Sequence, residues 1–452
     1  MAQNIKFRSR VGLIAATVGS AVGLGNIWRF PSEVQQNGGA AFLLLYVACV
    51  LILGIPVMLS EFSIGRGGNS DSITSYSNLA PGSKWYLNGW LGAVSSYLIA
   101  GFYMVVAGWT LEYLWASITG ELYSAEISSE SSYVAHMESF ITSTWRPIFW
   151  TWFMLALNIV VLLKGVNKGI EKVSNVLMPL LFVMLVAFAC VSLSLPNAQA
   201  GVEFFFKPDF SRITPANFIN ALGQAFFSLS LGMGILITYS AYYPANTNLI
   251  RTSGIVSFLG FIVAVLMGII IFPAATSFGL ADNPDALRGT TLVFVTLPEI
   301  FARLPLTRFW SALFFLLLGV AAFTSTISLC EVTTRLIHSK TRMSRNKSCF
   351  VVMAPLFILS ACCSLSLGEW SGFTILGDNI FDFLDNITTN YMLPACAFFG
   401  CLFVGWKMPR AFLRSELSNN GAIRNPLITP IAWAIRYLAP ALIIIILLAQ
   451  LF

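Results

Sequence analysis

The sequence predicts an all-α polytopic membrane protein of roughly eleven transmembrane helices, and three observations carry that expectation. Of 452 residues, 57% are hydrophobic and only 10% charged, with a mean hydropathy of +0.77, whereas a soluble chain carries about 25% charged residues. Apolar stretches long enough for a hydrocarbon core of ~30 Å recur along the whole chain. The connections between them alternate in charge, as the positive-inside bias requires. No polar stretch is long enough to fold separately, so a single integral domain over 1–452 is expected.

Span 1, 11–36, follows Lys6, Arg8 and Arg10 and could pass for a secretory signal. It runs into Asn26, Arg29 and Pro31 without a small-residue cleavage site, so it is a retained span. Spans 2 and 3, 40–65 and 86–119, lead to a connection, 120–147, where Glu121, Glu126, Glu130 and Glu138 against Arg146 leave a net −3. That connection has no cysteine, so no disulfide is expected there. Spans 4 and 5, 147–164 and 172–194, flank Lys164, Lys168 and Lys172, which exceed Glu171 to give +2. Span 6 is 216–240, and spans 7 and 8 are 253–279 and 306–337. Lys340, Arg342, Arg345 and Lys347 then give +4 ahead of span 9, 349–367. Span 10, 376–405, precedes Lys407, Arg410, Arg414 and Arg424 against Glu416, a net +3, and span 11 is 429–452. The basic tail and basic connections belong in the cytoplasm. The N-terminus is therefore inside and, with an odd span count, the C-terminus outside a cell inner (plasma) membrane. A formal charge of +6 could suggest nucleic acid, but its basic residues lie between apolar spans. Cys49, Cys190, Cys330, Cys362, Cys363, Cys396 and Cys401 fall in apolar runs without CxxC or other metal spacing and are expected to be buried thiols.

Two of the spans are broken by glycine. Span 1 contains Gly19-Ser20-Ala21-Val22-Gly23-Leu24-Gly25-Asn26, and span 6 contains Phe227-Ser228-Leu229-Ser230-Leu231-Gly232-Met233-Gly234. Non-helical backbone at membrane depth is tolerated only where it lines a cavity. A pair of such breaks in corresponding positions points to a secondary transporter's substrate site. Spans 1 and 6 divide the first ten into five plus five, repeats of about 11–194 and 216–405, and an odd number per half inverts the second. Span 11, about 429–452, is peripheral to them. The only histidines are His136 and His338, with no nucleophile–base or metal constellation, so an enzyme is not expected.

The run Gly23-Leu24-Gly25-Asn26-Ile27-Trp28-Arg29-Phe30-Pro31, followed by Asn37-Gly38-Gly39-Ala40-Ala41-Phe42, resembles the first-span signature of the neurotransmitter:sodium symporters. The likeness continues through Glu61-Phe62-Ser63-Ile64-Gly65-Arg66, Lys168-Gly169-Ile170-Glu171-Lys172, Gly223 to Gly234 and Phe381-Asp382-Phe383-Leu384-Asp385. It covers nearly the whole chain, and eleven spans resemble the shorter bacterial branch, with its hydrophobic amino-acid transporters. The resemblance implies a sodium-coupled symporter working by alternating access, importing a neutral, hydrophobic or aromatic amino acid. A non-α amino acid or sulfonate cargo, and an uncoupled sensor or channel, are the alternatives; the oligomeric state stays open.

The resemblance places the cargo's carboxylate at the amides of Leu24 and Gly25 and the hydroxyl of Tyr103, where a half-helix dipole favours an anion. Its ammonium would meet the carbonyls of Ala21, Phe227 and Ser228 and the hydroxyl of Ser230. Gly23 stands where monoamine-carrying members have Asp, which leaves room for the cargo's own carboxylate. Ile99, Phe227, Met233, Ser325 and Leu329 would enclose the side chain without a buried charge. One sodium site is implied at Gly19, Val22, Ala321, Thr324 and Ser325. Thr324-Ser325-Thr326 could instead hydrogen-bond back to their own helix. A second would use Ala21, Asn26 and Ser228, but 254–273 has no Asn to complete it, nor the Asp or Glu that replaces chloride in many bacterial members. One or two Na⁺ are therefore expected. Tyr46, Gln224 and Ser228 match three chloride-site positions, leaving chloride open. A single Na⁺ crossing about 100 mV contributes about 2.3 kcal/mol and a tenfold gradient about 1.4 kcal/mol, enough for roughly 500-fold accumulation.

The resemblance also makes Arg29 and Asp382 an outer gate pair, with Asp385 as a rival partner for Arg29. Glu61 would brace the broken helices, and Gly169, ahead of Pro179, would mark a stretch of span 5 that unwinds. At the inner gate Phe7 replaces Trp, and Asn4 and Ser339 replace an Arg–Asp pair. This implies another closure or an inward-leaning resting state, with Lys6 and Arg8 as substitutes.

Overall fold

The computed structural model describes residues 6–124, 127, 129–280, 287–341 and 343–450, without the Arg212 side chain. The expectations resting on Asn4, Glu126 and Arg342 lie outside the described residues. Among the described residues nine helices are long and apolar enough to cross a membrane: Ala40–Gly68, Tyr86–Thr119, Trp145–Leu163, Val166–Leu193, Leu249–Ser277, Thr307–Lys340, Arg345–Leu365, Ile380–Lys407 and Ile428–Ala449. A tenth crossing is a bent pair, Arg10–Ala21 and Gly25–Gln36, meeting at 58°. The segment expected as span 6 is two pieces, Pro215–Ser228 and Ile235–Ser240, joined through 229–234. Neither piece alone is long enough to cross, so length and composition count nine or ten crossings among the described residues, and the expected eleventh is this broken segment.

Local chemistry sets the ends of the broken spans. Ser9 caps the first helix by accepting the Gly12 N–H at 2.8 Å, a contact that satisfies an otherwise orphaned donor. Thr214 and Asn217 form a capping box, with Pro215 in the first turn, where its missing N–H is not needed. Span 5 begins at Val166, earlier than expected, because Gly165 takes a φ of +76° and turns the chain directly out of span 4.

Spans 3 and 8 form the core, with 72% and 83% of their apolar windows buried, against 39% for spans 5 and 11. Span 5 therefore has a broad outward face, and Cys190 lies on it exposed, which corrects its expected burial. An apolar environment outside the protein satisfies a thiol as well as one inside.

The connections gather at two ends. At one, Arg66 pairs with Glu416 at 2.7 Å, Ser339 donates to Asp71 at 2.5 Å, and Arg345 pairs with Glu331 at 2.5 Å. At the other, Arg146 bridges Glu112 and Glu121 at 2.6 and 2.7 Å, and Thr144 bonds Glu369. The basic connections share the first end and the acidic one lies at the second, as charge alternation requires.

Candidate functional site

Span 1 leaves helical geometry at Val22, with φ −88° and ψ 83°. It resumes in a wide π-type turn, Gly25–Arg29, a form frequent at functional sites. Within the break of span 6, Ser230, Gly232 and Gly234 take φ of 53°, 78° and 70°, left-handed values that glycine accepts without a Cβ penalty. Glu61 is buried beside this break and its Oε1 accepts the Gly232 N–H at 2.7 Å. Two bonds stitch the breaks together: Ser230 Oγ donates to the Ser20 carbonyl at 2.7 Å, and Asn26 Nδ2 to the Ser228 carbonyl at 3.5 Å. The Ser230 proton is thus engaged, and what remains for an ammonium is its lone pairs, which an N–H donor needs.

The residues expected around a cargo line one cavity of about 30 Å³, except Leu24, whose contact with Tyr103 is made by its main chain. Ser20 and Ile235 join the lining; both flank the breaks, but only their fold-back brings them in. A water needs about 10–15 Å³ of such space, so the cavity is tight and an amino-acid-sized guest must move its walls. Met233 is the wall that adapts most cheaply. At one end the Leu24 N–H donates to the Tyr103 hydroxyl at 2.9 Å. A Cβ placed on Gly23 would stand 2.8 Å from Ser325 Oγ and 2.9 Å from that hydroxyl. The lining carries no charged side chain; this end offers only an amide and hydroxyls.

Phe227 lines the cavity between Gly25 and Arg29. A Cβ on Gly25 would lie 2.5 Å from its ring, and the Arg29 guanidinium sits over that ring, 4.9 Å from its centroid. The expected Arg29–Asp382 pair is not formed. Arg29 instead reaches Glu33 at 3.6 Å, one turn along its own helix, and Asp382 accepts from Asn379 at 2.6 Å. Spacing of i,i+4 makes Glu33 the nearer carboxylate. Asp385 lies within electrostatic reach of Arg29 and accepts from Thr389 at 2.9 Å.

Beneath the cavity, Ser325 Oγ donates to the Gly19 carbonyl at 3.3 Å, and a Cβ on Gly19 would be 3.2 Å from Thr324 Cβ. Thr324 Oγ1 donates to the Ala321 and Val320 carbonyls at 3.0 and 3.2 Å. Its bond to its own helix is therefore made, yet a hydroxyl that donates keeps two lone pairs. Gly19, Ala321, Thr324 and Ser325 stand together as hard oxygens, with Val22 at the adjoining break. Among the described residues no group of three His, Cys, Asp or Glu converges elsewhere on a metal-sized space. Nearby, Asn26 Nδ2 donates to the Ala21 carbonyl at 2.9 Å, while its Oδ1 is buried without a partner. An orphaned buried acceptor of this kind fits a small cation. Tyr46 and Ser228 hydroxyls lie 3.0 Å apart, and Gln224, one turn before Ser228, donates to the Gly25 carbonyl at 3.2 Å.

The tail closes the end where the basic connections gather. The Phe7 N–H donates to the Tyr242 carbonyl at 3.0 Å, and its ring packs edge-on or tilted among Tyr239, Tyr242 and Tyr243. Lys6 Nζ donates to Asn69 Oδ1 at 2.7 Å and the Ala241 carbonyl at 2.8 Å. Glu171 accepts the Arg8 and Ser9 N–H groups, each at 3.0 Å. Of the two expected substitutes, Lys6 acts through its side chain and Arg8 through its amide. In this structure the stretch of span 5 expected to unwind is wound: Val166–Glu171 is a wide turn, and Lys172–Leu193 stays helical through Pro179. Gly169 serves close packing instead, since a Cβ there would fall 2.1 Å from the Val161 carbonyl.

A family profile described as the sodium:neurotransmitter symporter family matches residues 5–143 and 131–452. YhdH, a sodium-dependent transporter of Bacillus subtilis strain 168, is 34% identical over 444 residues, 98% of this chain and 97% of its own. A sodium-dependent transporter of Haemophilus influenzae is 36% identical over 462 residues, spanning 100% of this chain and 99% of its own. MhsT, solved in complex with L-phenylalanine, superposes with a TM-score of 0.89 at 39% identity, over 99% of both chains.

Proposed function

Since the chain belongs to the sodium:neurotransmitter symporter family, and is thereby a sodium-dependent membrane transporter and not an enzyme, we propose that its cargo is a neutral hydrophobic or aromatic α-amino acid. The observation that carries this reading is the Gly23 end of the cavity. An amide and two hydroxyls converge there on a place where no side chain fits. That end receives a carboxylate brought by the cargo, because the protein supplies no anion of its own to meet a bare amine. Ile99, Phe227, Met233 and Leu329 then hold an apolar side chain, and a charged one would be left without a partner. MhsT, at 39% identity, binds L-phenylalanine, which supports the same cargo class.

The coupling Na⁺ belongs at Gly19, Val22, Ala321, Thr324 and Ser325. A second Na⁺ would use Ala21, Asn26 and Ser228 with the cargo carboxylate, and would bind less tightly because span 7 contributes no Asn. Tyr46, Gln224 and Ser228 form a partial chloride site. The chain is one transport domain of two inverted repeats, about 11–194 and 216–405, lying in the inner (plasma) membrane with its N-terminus cytoplasmic and its C-terminus outside.

Uptake into proteoliposomes tests the reading. Phenylalanine or leucine accumulates above its external concentration under an inward Na⁺ gradient and does not when K⁺ replaces Na⁺. Downhill flux indifferent to Na⁺ would sink the symporter in favour of an uncoupled relative. The stronger ion site is checked by Thr324→Val, which removes one hard oxygen at nearly constant shape. A lost bond to a charged group is worth about 1.5–3 kcal/mol, so half-maximal Na⁺ is expected to rise roughly tenfold or more. An unchanged Na⁺ dependence would remove Thr324 from the site.

A further inference from the structure

At the start of span 5 lies a groove of about 1000 Å³ that the transport cycle as described above leaves without a role. Its polar part is lined by Arg8, Lys164, Lys168 and Lys172, against the single carboxylate of Glu171. Among the described residues none of these four cations is in an ion pair, and both Glu171 oxygens are engaged by the tail. Asn167 and Asn175 also line it, each with a buried amide oxygen that has no partner among the described residues. Its other wall is apolar, from Val173, Leu177 and Phe323. Further along the same helix Val176 and Val183, 62% and 67% exposed, face outward where acyl chains would lie.

We propose that this groove binds an anionic glycerophospholipid, its phosphate held between Arg8 of the tail, Lys164 at the end of span 4, and Lys168 and Lys172 of span 5. The chemistry of the walls selects the occupant. Unpaired cations beside a hydrocarbon-facing helix suit a phosphate that carries its own apolar chains, whereas a free anion has no use for the apolar wall. The two asparagines can accept from headgroup hydroxyls or, with the amide turned, donate to phosphate oxygens. Such a lipid bridges the tail to span 5 at the place where Glu171 already holds the Arg8 and Ser9 amides, and so reinforces closure of that end.

The test uses the purified full-length protein, stripped of lipid in mild detergent and titrated with phosphatidylglycerol. Phosphatidylcholine of the same chains and inorganic phosphate serve as the other arms, with native mass spectrometry and thermal shift as readouts. Phosphatidylglycerol is expected to saturate and phosphatidylcholine not. Each lysine near an anionic lipid contributes about fivefold. The Lys164→Gln/Lys168→Gln/Lys172→Gln variant should therefore bind roughly a hundredfold more weakly. A Lys407→Gln/Arg410→Gln/Arg414→Gln variant should bind as wild type. Should the first triple variant fail to fold, single Lys168→Gln gives the expected fivefold loss on its own. Equal loss in both triple variants, equal binding of phosphatidylcholine, or displacement by low-millimolar inorganic phosphate would each overturn the proposal.

Discussion

A Gly23→Ala protein is expected to reach the membrane in normal amount and to lose at least about thirtyfold in kcat/KM for the proposed amino-acid cargo, roughly 2 kcal/mol. Gly23 is not among the residues with positive φ, so alanine meets no backbone penalty there. The whole effect comes from one methyl, 2.8 Å from Ser325 Oγ and 2.9 Å from the Tyr103 hydroxyl. The serine can rotate, but the tyrosine hydroxyl is fixed by a rigid ring and by its bond from the Leu24 N–H. Either the ring moves and that bond is lost, or the methyl occupies the place proposed for the cargo's carboxylate. Initial uptake rates normalised to membrane abundance measure the loss. Wild-type kinetics in this variant would put the carboxylate elsewhere and remove the main support for an amino-acid cargo.

Gly232→Ala should be more damaging, and to folding rather than to kinetics alone. Its φ of +78° places alanine in a region disfavoured by about 1–2 kcal/mol, and the added Cβ would fall 2.3 Å from the Leu393 carbonyl oxygen. That neighbour is main chain, so nothing yields short of displacing span 10 from the break. A loss of about 4 kcal/mol or more follows, at the extreme of single substitutions, with little monodisperse protein recovered in detergent. Gly234→Ala is the internal control: its φ is +70°, but the nearest atoms lie 3.5 Å away, so only the conformational penalty applies. Melting temperature and yield should fall steeply for the first variant and slightly for the second. Equal effects would mean that conformation, not the approach of span 10, dictates glycine here.

Most of the architecture was legible because bilayer thickness and loop charge act on each span separately. The break of span 1 and the gathering of Gly19, Thr324 and Ser325 were legible through the glycines and the family likeness. What depended on side chains meeting from different spans was less so. Arg29 was matched with Asp382 by pattern, whereas the structure gives it Glu33 and the face of Phe227. The helices Ser72–Leu79, Glu130–Thr142 and Ala198–Phe206 went unforeseen because they lie in connections, too short for a crossing signal. The Asp71 and Ser129 caps of the first two were readable hints. The tail's grip on Glu171 had little sequence signal, since two of its three donors are main-chain amides and the third is the common hydroxyl of Ser9.

That grip has a consequence for how this end of the molecule opens. The anchors of Lys6, Phe7, Arg8 and Ser9 are Asn69, Ala241, Tyr242 and Glu171, which sit on three separate segments following spans 2 and 6 and opening span 5. No single anchor holds the plug, and none can release it alone. Opening of this end is therefore expected to be concerted: the three segments part together, and movement of one alone leaves the tail held by the others.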